Sequence, residues 1–130
     1  MAMTRPAPLA ALLAAACLSA CASTGGRFDT TRISAVYIAE FTSTDPTGCT
    51  TADVDLTNDQ AHVFFRKAKQ LDERALADHY PLAPCKIEGT LERDGQPCDF
   101  EISAAMTGQI RCDGQRWFFA CEDCEDLFQP

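Results

Sequence analysis

Eight cysteines in 130 residues, six of them between Cys49 and Cys124, constrain this chain more than any other feature. A disulfide forms only where two Cα atoms approach to about 4.4–6.8 Å, so each bridge fixes which segments are neighbours. Whether the thiols pair at all depends on the compartment. Oxidising surroundings give bridges, whereas reducing ones leave thiols for metals or chemistry. The first twenty residues speak to that question.

Arg5 supplies a lone positive charge, and Leu9 to Leu18 is an uninterrupted apolar run of ten residues. That is the length of a signal-peptide core. As a helix it reaches only about 15 Å, half the hydrocarbon thickness of a bilayer, so it is a poor transmembrane span. Export followed by cleavage is the expectation.

At the end of the run, Leu18-Ser19-Ala20-Cys21 resembles the lipobox of bacterial lipoproteins. Small side chains at Ser19 and Ala20 suit an extended backbone in a peptidase cleft, and the Cys21 thiol is the nucleophile that takes the lipid. Cys17 competes, but it follows Ala14-Ala15-Ala16 and lacks the leucine three positions upstream. The resemblance implies cleavage before Cys21 and a membrane-bound N-terminus with three acyl chains, palmitate among them. At about 0.8 kcal/mol per buried methylene, such an anchor is effectively permanent. Ala22 rather than Asp follows the cysteine, which by analogy with lipoprotein sorting points to the outer membrane, on its periplasmic face, in a Gram-negative envelope. The expected organisation is a signal peptide over 1–20, a lipidated cysteine and flexible tether over 21–28, and one Cys-rich domain over 29–130. Residues Ala22 to Gly26 span roughly 12 Å on average, so the domain should sit close to the membrane.

With Cys17 removed and Cys21 acylated, Cys49, Cys85, Cys98, Cys112, Cys121 and Cys124 remain as disulfide candidates. Six is even and the periplasm is oxidising, so up to three bridges are expected, and roughly fifteen pairings are open. Loss of Arg5 leaves ten Lys and Arg against nineteen Asp and Glu, a mature charge of about −9. Nucleic acid and anionic lipid are then disfavoured as partners, and a basic periplasmic protein remains open.

Arg32 to Phe41 is rich in β-branched and aromatic residues and reads as a strand, followed by a loop over 42–53 carrying Cys49. Thr57-Asn58-Asp59-Gln60 fits a capping box. The helix it opens should carry Ala61, Phe64, Phe65, Ala68 and Leu71 on one apolar face. Asp72 caps a second short helix through Ala75, Leu76 and His79, which must stop before Pro81.

The second half alternates as a β-meander. If Asp94-Gly95 is a two-residue turn, Leu91 opposes Cys98, Gly89 opposes Phe100 and Ile87 opposes Ile102. The same chemistry at Asp113-Gly114 sets Ile110 against Trp117. The expected fold is α+β in the order β-α-α-β-β-β-β, disulfide-stapled, with the helices on one face of an antiparallel sheet and Phe64/Phe65 meeting Phe100, Ile102, Ile110, Trp117 and Phe119. The elements Ala83-Pro84-Cys85, Glu88-Gly89, Trp117-Phe118-Phe119-Ala120-Cys121 and Cys124 are similar to those of small, uncharacterised proteobacterial lipoproteins and envelope proteins. That resemblance covers the C-terminal two-thirds of the domain and implies a fold, not a chemistry.

Cys121-Glu122-Asp123-Cys124 is the motif that suggests an enzyme, since a Cys-x-x-Cys pair can cycle between dithiol and disulfide. Reactive thiols are activated by cations or a helix N-terminus, whereas here carboxylates surround them and only six residues follow, too few for a thioredoxin-like helix. A zinc site from Cys98, Cys112, Cys121 and Cys124 lacks a second Cys-x-x-Cys pair. His62 and His79 have no third ligand in pattern, and Asp53-Val54-Asp55 lacks the glycine and distal glutamate of a calcium loop. No nucleophile elbow, phosphate loop or zincin motif is present in the sequence. No catalytic residue, metal or cofactor is therefore assigned. The expected function is a non-enzymatic, membrane-anchored binding or accessory domain of the envelope. Glu122, Asp123, Glu125 and Asp126 would be its partner-binding residues, and inhibition of, or immunity to, a basic cell-wall hydrolase is a natural version of that role. The alternative is a thiol–disulfide oxidoreductase using Cys121 and Cys124.

Overall fold

A computed structural model describes residues 26–129. The expected signal peptide and lipobox, Cys21 included, lie outside the described residues. Among them the chain forms an α+β body around an open six-stranded antiparallel sheet.

The strands are β1 (Ile33–Ser43), β2 (Lys69–Leu71), β3 (Cys85–Arg93), β4 (Gln96–Ser103), β5 (Thr107–Cys112) and β6 (Gln115–Ala120). Helices α1 (Asn58–Lys67) and α2 (Glu73–His79) flank β2, and a four-residue helix α3 (Glu125–Phe128) closes the chain. The spatial order is β1-β3-β4-β5-β6-β2, so the meander is the middle of the sheet and the two strands from the first half form its edges.

Two of the three hairpins follow their Asp-Gly turn residues. Asp94 and Gly95 have φ of 52° and 82°, and Asp113 and Gly114 have 52° and 80°, the paired positive values of a type I′ turn. Leu91 pairs with Cys98, Gly89 with Phe100, Ile87 with Ile102 and Ile110 with Trp117. One face of the meander is consequently buried at every second residue, and its other face is polar.

The capping box at the start of α1 is complete: Thr57 Oγ1 accepts from the Gln60 amide at 3.1 Å, and Gln60 Oε1 accepts from the Thr57 amide at 2.9 Å. Ala61, Phe64 and Phe65 on this helix are fully buried. Phe65 meets Phe100 and Phe119 edge-on, with ring centres 5.7 and 5.4 Å apart. Gly108 makes room for them, since a Cβ there would lie 2.8 Å from Phe64 and 3.1 Å from Phe65.

Three sequence expectations are corrected. Ala68 and Leu71 do not extend the helix: α1 ends at Lys67, Ala68 turns extended, and Lys69–Leu71 pairs with β6. A continued helix would leave the outer edge of β6 without backbone partners, and a short strand satisfies it. The element order therefore gains a strand between the two helices and a helix at the end. α2 contributes no buried residue. Finally, Phe28, placed in the tether by sequence, is only 6% exposed and packs on Trp117 with ring centres 5.0 Å apart.

β1, an eleven-residue edge, is broken by two register shifts and a positive φ of 52° at Ala35. The Ile38 amide is taken by Asn58 Oδ1 at 2.9 Å. Bulges and side-chain bonds of this kind keep an exposed edge from templating another chain.

Candidate functional site

The six cysteines close as Cys49–Cys85, Cys98–Cys112 and Cys121–Cys124. Cys98 and Cys112 face each other across β4 and β5 with Cα atoms 4.5 Å apart, the spacing of a non-hydrogen-bonded antiparallel pair. Cys49–Cys85 ties the loop after β1 to the first residue of β3. The four cysteines considered for zinc are thus divided between two bridges. Asp53 lies near the sulfurs of Cys49 and Cys85, but those sulfurs are bridged and Asp53 accepts the Thr50 amide at 2.7 Å.

The Cys121–Cys124 bridge shapes the acidic segment. Both sulfur residues are buried, at 3% and 0% exposure, while Glu122 and Asp123 between them and Glu125 and Asp126 after them are all exposed. A tight covalent loop thereby turns four carboxylates outward from a fixed base. Cys121 is tied again through its amide, which donates to the Met106 carbonyl at 3.0 Å. Tyr80, at the end of α2, donates its hydroxyl to Glu122 Oε2 at 2.8 Å. That bond, with some desolvation and the charge of Glu122, raises the Tyr80 pKa above its ordinary value. The structure therefore brings the four acids named from sequence onto one stapled segment, with Tyr80 as a neighbour that the sequence does not point to.

A second feature was missed from sequence altogether. Between the N-terminal segment at Gly26–Thr30, strand β2 with the start of α2, and β6 lies an open cleft of about 980 Å³. Gln70 pins one wall: its Oε1 accepts the Phe28 amide at 2.8 Å and its Nε2 donates to the Gly26 carbonyl at 3.1 Å. Arg93 lies 5.1 Å from the Phe28 ring centre and 4.8 Å from that of Trp117, a cation–π stack that holds the wall to the sheet. Arg27, Lys69 and Arg116 line this cleft from three separate segments, which is why no local pattern revealed it.

Comparison of the chain with protein-family models, with curated proteins and with solved structures returned no match.

Proposed function

We propose that this protein is a non-enzymatic accessory domain of the bacterial cell envelope, tethered to the outer membrane through Cys21, whose stapled acidic segment docks a basic partner. The observation that carries the docking role is the Cys121–Cys124 loop, which buries its own sulfurs and holds Glu122, Asp123, Glu125 and Asp126 outward. Preorganised carboxylates bind with less ordering cost than a loose tail would incur. A cationic cell-wall hydrolase is the partner class that best suits them, with inhibition or immunity as the consequence.

Pull-down from envelope extract with the full chain tests the reading. A cationic hydrolase should be recovered at low salt and lost at high salt, because exposed charge pairs are screened within about 8–10 Å. Replacement of Glu122, Asp123, Glu125 and Asp126 by the corresponding amides should abolish recovery; an undiminished yield would sink the docking role. The anchor has its own test: radiolabelled palmitate should enter the wild-type chain and not Cys21→Ser.

The oxidoreductase alternative gains little from this geometry. A catalytic disulfide must be reached by an external thiolate, and Cys124 has no exposed surface.

A further inference from the structure

We propose that the cleft between the N-terminal segment and β6 is a second binding site, which takes an extended acidic peptide by strand addition along β2. The proposal goes beyond the acidic docking segment and does not depend on it.

Three observations converge on this occupant. β2 ends the sheet, and among the described residues its outer edge has no backbone partner; the segment beside it is held by the side chain of Gln70 instead. An unpaired strand edge recognises an extended peptide through main-chain hydrogen bonds. Next, Arg27, Lys69 and Arg116 line the cleft without an ion-pair partner among the described residues, in a chain whose net charge is −8. Two carboxylates, Asp72 and Glu73, line it as well, one fewer than the cations. Cations therefore predominate. Third, Leu71 and Phe118 sit opposite each other in the β2–β6 pair, both half-buried, and offer apolar contact to alternate side chains of an added strand. Trp117 also lines the cleft, with its side chain mostly buried.

A neutral or basic strand would leave the three cations unmatched. A glycan fits less well, because stacking on a sugar needs a free aromatic face, and Trp117 is 5% exposed with Arg93 over one side of its ring.

Trp117 is the only tryptophan in the chain, so its emission reports on the cleft without a label. The full chain, in detergent micelles, is titrated with a blocked heptapeptide alternating glutamate and valine. Four comparisons accompany it: the same peptide with lysine for glutamate, the same peptide N-methylated at alternate amides, a galacturonate oligomer, and the glutamate peptide on Lys69→Gln/Arg116→Gln protein. The expected result is a saturable change with the glutamate peptide, weakened about tenfold or more by the paired substitutions, by lysine and by N-methylation. Arg27→Gln, outside any helix or strand, should weaken it in the same direction and guards against misfolding of the double variant. No saturable change, or one equal for the lysine peptide, overturns the proposal. Equal binding of the N-methylated peptide overturns strand addition, and tighter binding of the galacturonate oligomer overturns the peptide assignment.

Discussion

Tyr80 and Glu122 are 42 positions apart, yet their side chains meet at 2.8 Å and couple the end of α2 to the acidic segment. The hydroxyl donates to a carboxylate, so ionising the phenol would set two negative charges against each other. The folded pKa is raised above the ordinary 10.0 by that bond first and by desolvation second. A raised folded pKa means the contact contributes fully below the unfolded value and is lost as pH climbs through the folded one. In a Tyr37→Phe background, leaving one tyrosine, phenolate absorbance should rise later than in the same chain carrying Glu122→Gln. Superimposable titrations would show that the bond does not form in solution. Gly89 makes a second point at this scale. A Cβ there would strike the Tyr37 backbone carbonyl on β1 and lie 2.9 Å from the Phe100 ring. Gly89→Ala should therefore destabilise by roughly 1–3 kcal/mol or more, seen as a lower urea midpoint with the slope unchanged. Gly114→Ala should also destabilise, but for another reason: nothing crowds its Cβ, and only the positive φ of 80° is strained.

Among the elements, those governed by local chemistry were legible and those governed by distant pairing were not. Asp94-Gly95 and Asp113-Gly114 set the registers of their two hairpins because a two-residue turn leaves one pairing that buries every apolar side chain together. Thr57 and Gln60 marked the start of α1 because the cap lies within four residues. β2 was hidden because Lys69-Gln70-Leu71 carries no alternation, and it becomes a strand only when β6 supplies a partner. Tertiary pairing also chose one set of bridges out of all those open to six cysteines, and it assembled the cleft from residues as far apart as Arg27 and Arg116. The acidic segment, contiguous in sequence, was readable as a candidate site for the opposite reason. The three bridges differ in the loop each closes, with sequence separations of 36, 14 and 3. Loop-closure entropy then ranks them at about 4, 3 and 1.5 kcal/mol. Paired Cys→Ala substitutions should follow that order in urea unfolding, with Cys49/Cys85 the most damaging pair. Losing Cys121–Cys124 should affect stability least and partner recovery most, because that bridge orders the acidic segment while constraining little of the chain.

For the whole molecule, the decisive quantity is how much of its stability resides in covalent closure. A body of this size buries enough apolar surface to fold, but the net margin of such domains is only about 5–15 kcal/mol. Here the core is one layer of side chains between a single sheet face and a thin cover made of one ten-residue helix, Phe28 and the Cys49, Val54 and Leu56 side chains, since α2 and α3 contribute no buried residue. The opposite face of the sheet is mostly polar and carries the half-buried Lys86 and its two carboxylate partners, Glu88 and Glu101. A half-covered sheet has little hydrophobic surplus, so three bridges worth several kcal/mol together form a large share of the total. Reduction should accordingly lower the melting temperature by tens of degrees, given about 4–8 °C per kcal/mol for a domain of this length. Calorimetry of the full chain with and without a strong dithiol reductant, thiols counted in parallel, checks this. A fully reduced chain that melted within a few degrees of the oxidised one would mean that the Phe64–Phe65–Phe100–Phe119 packing holds the fold without its staples.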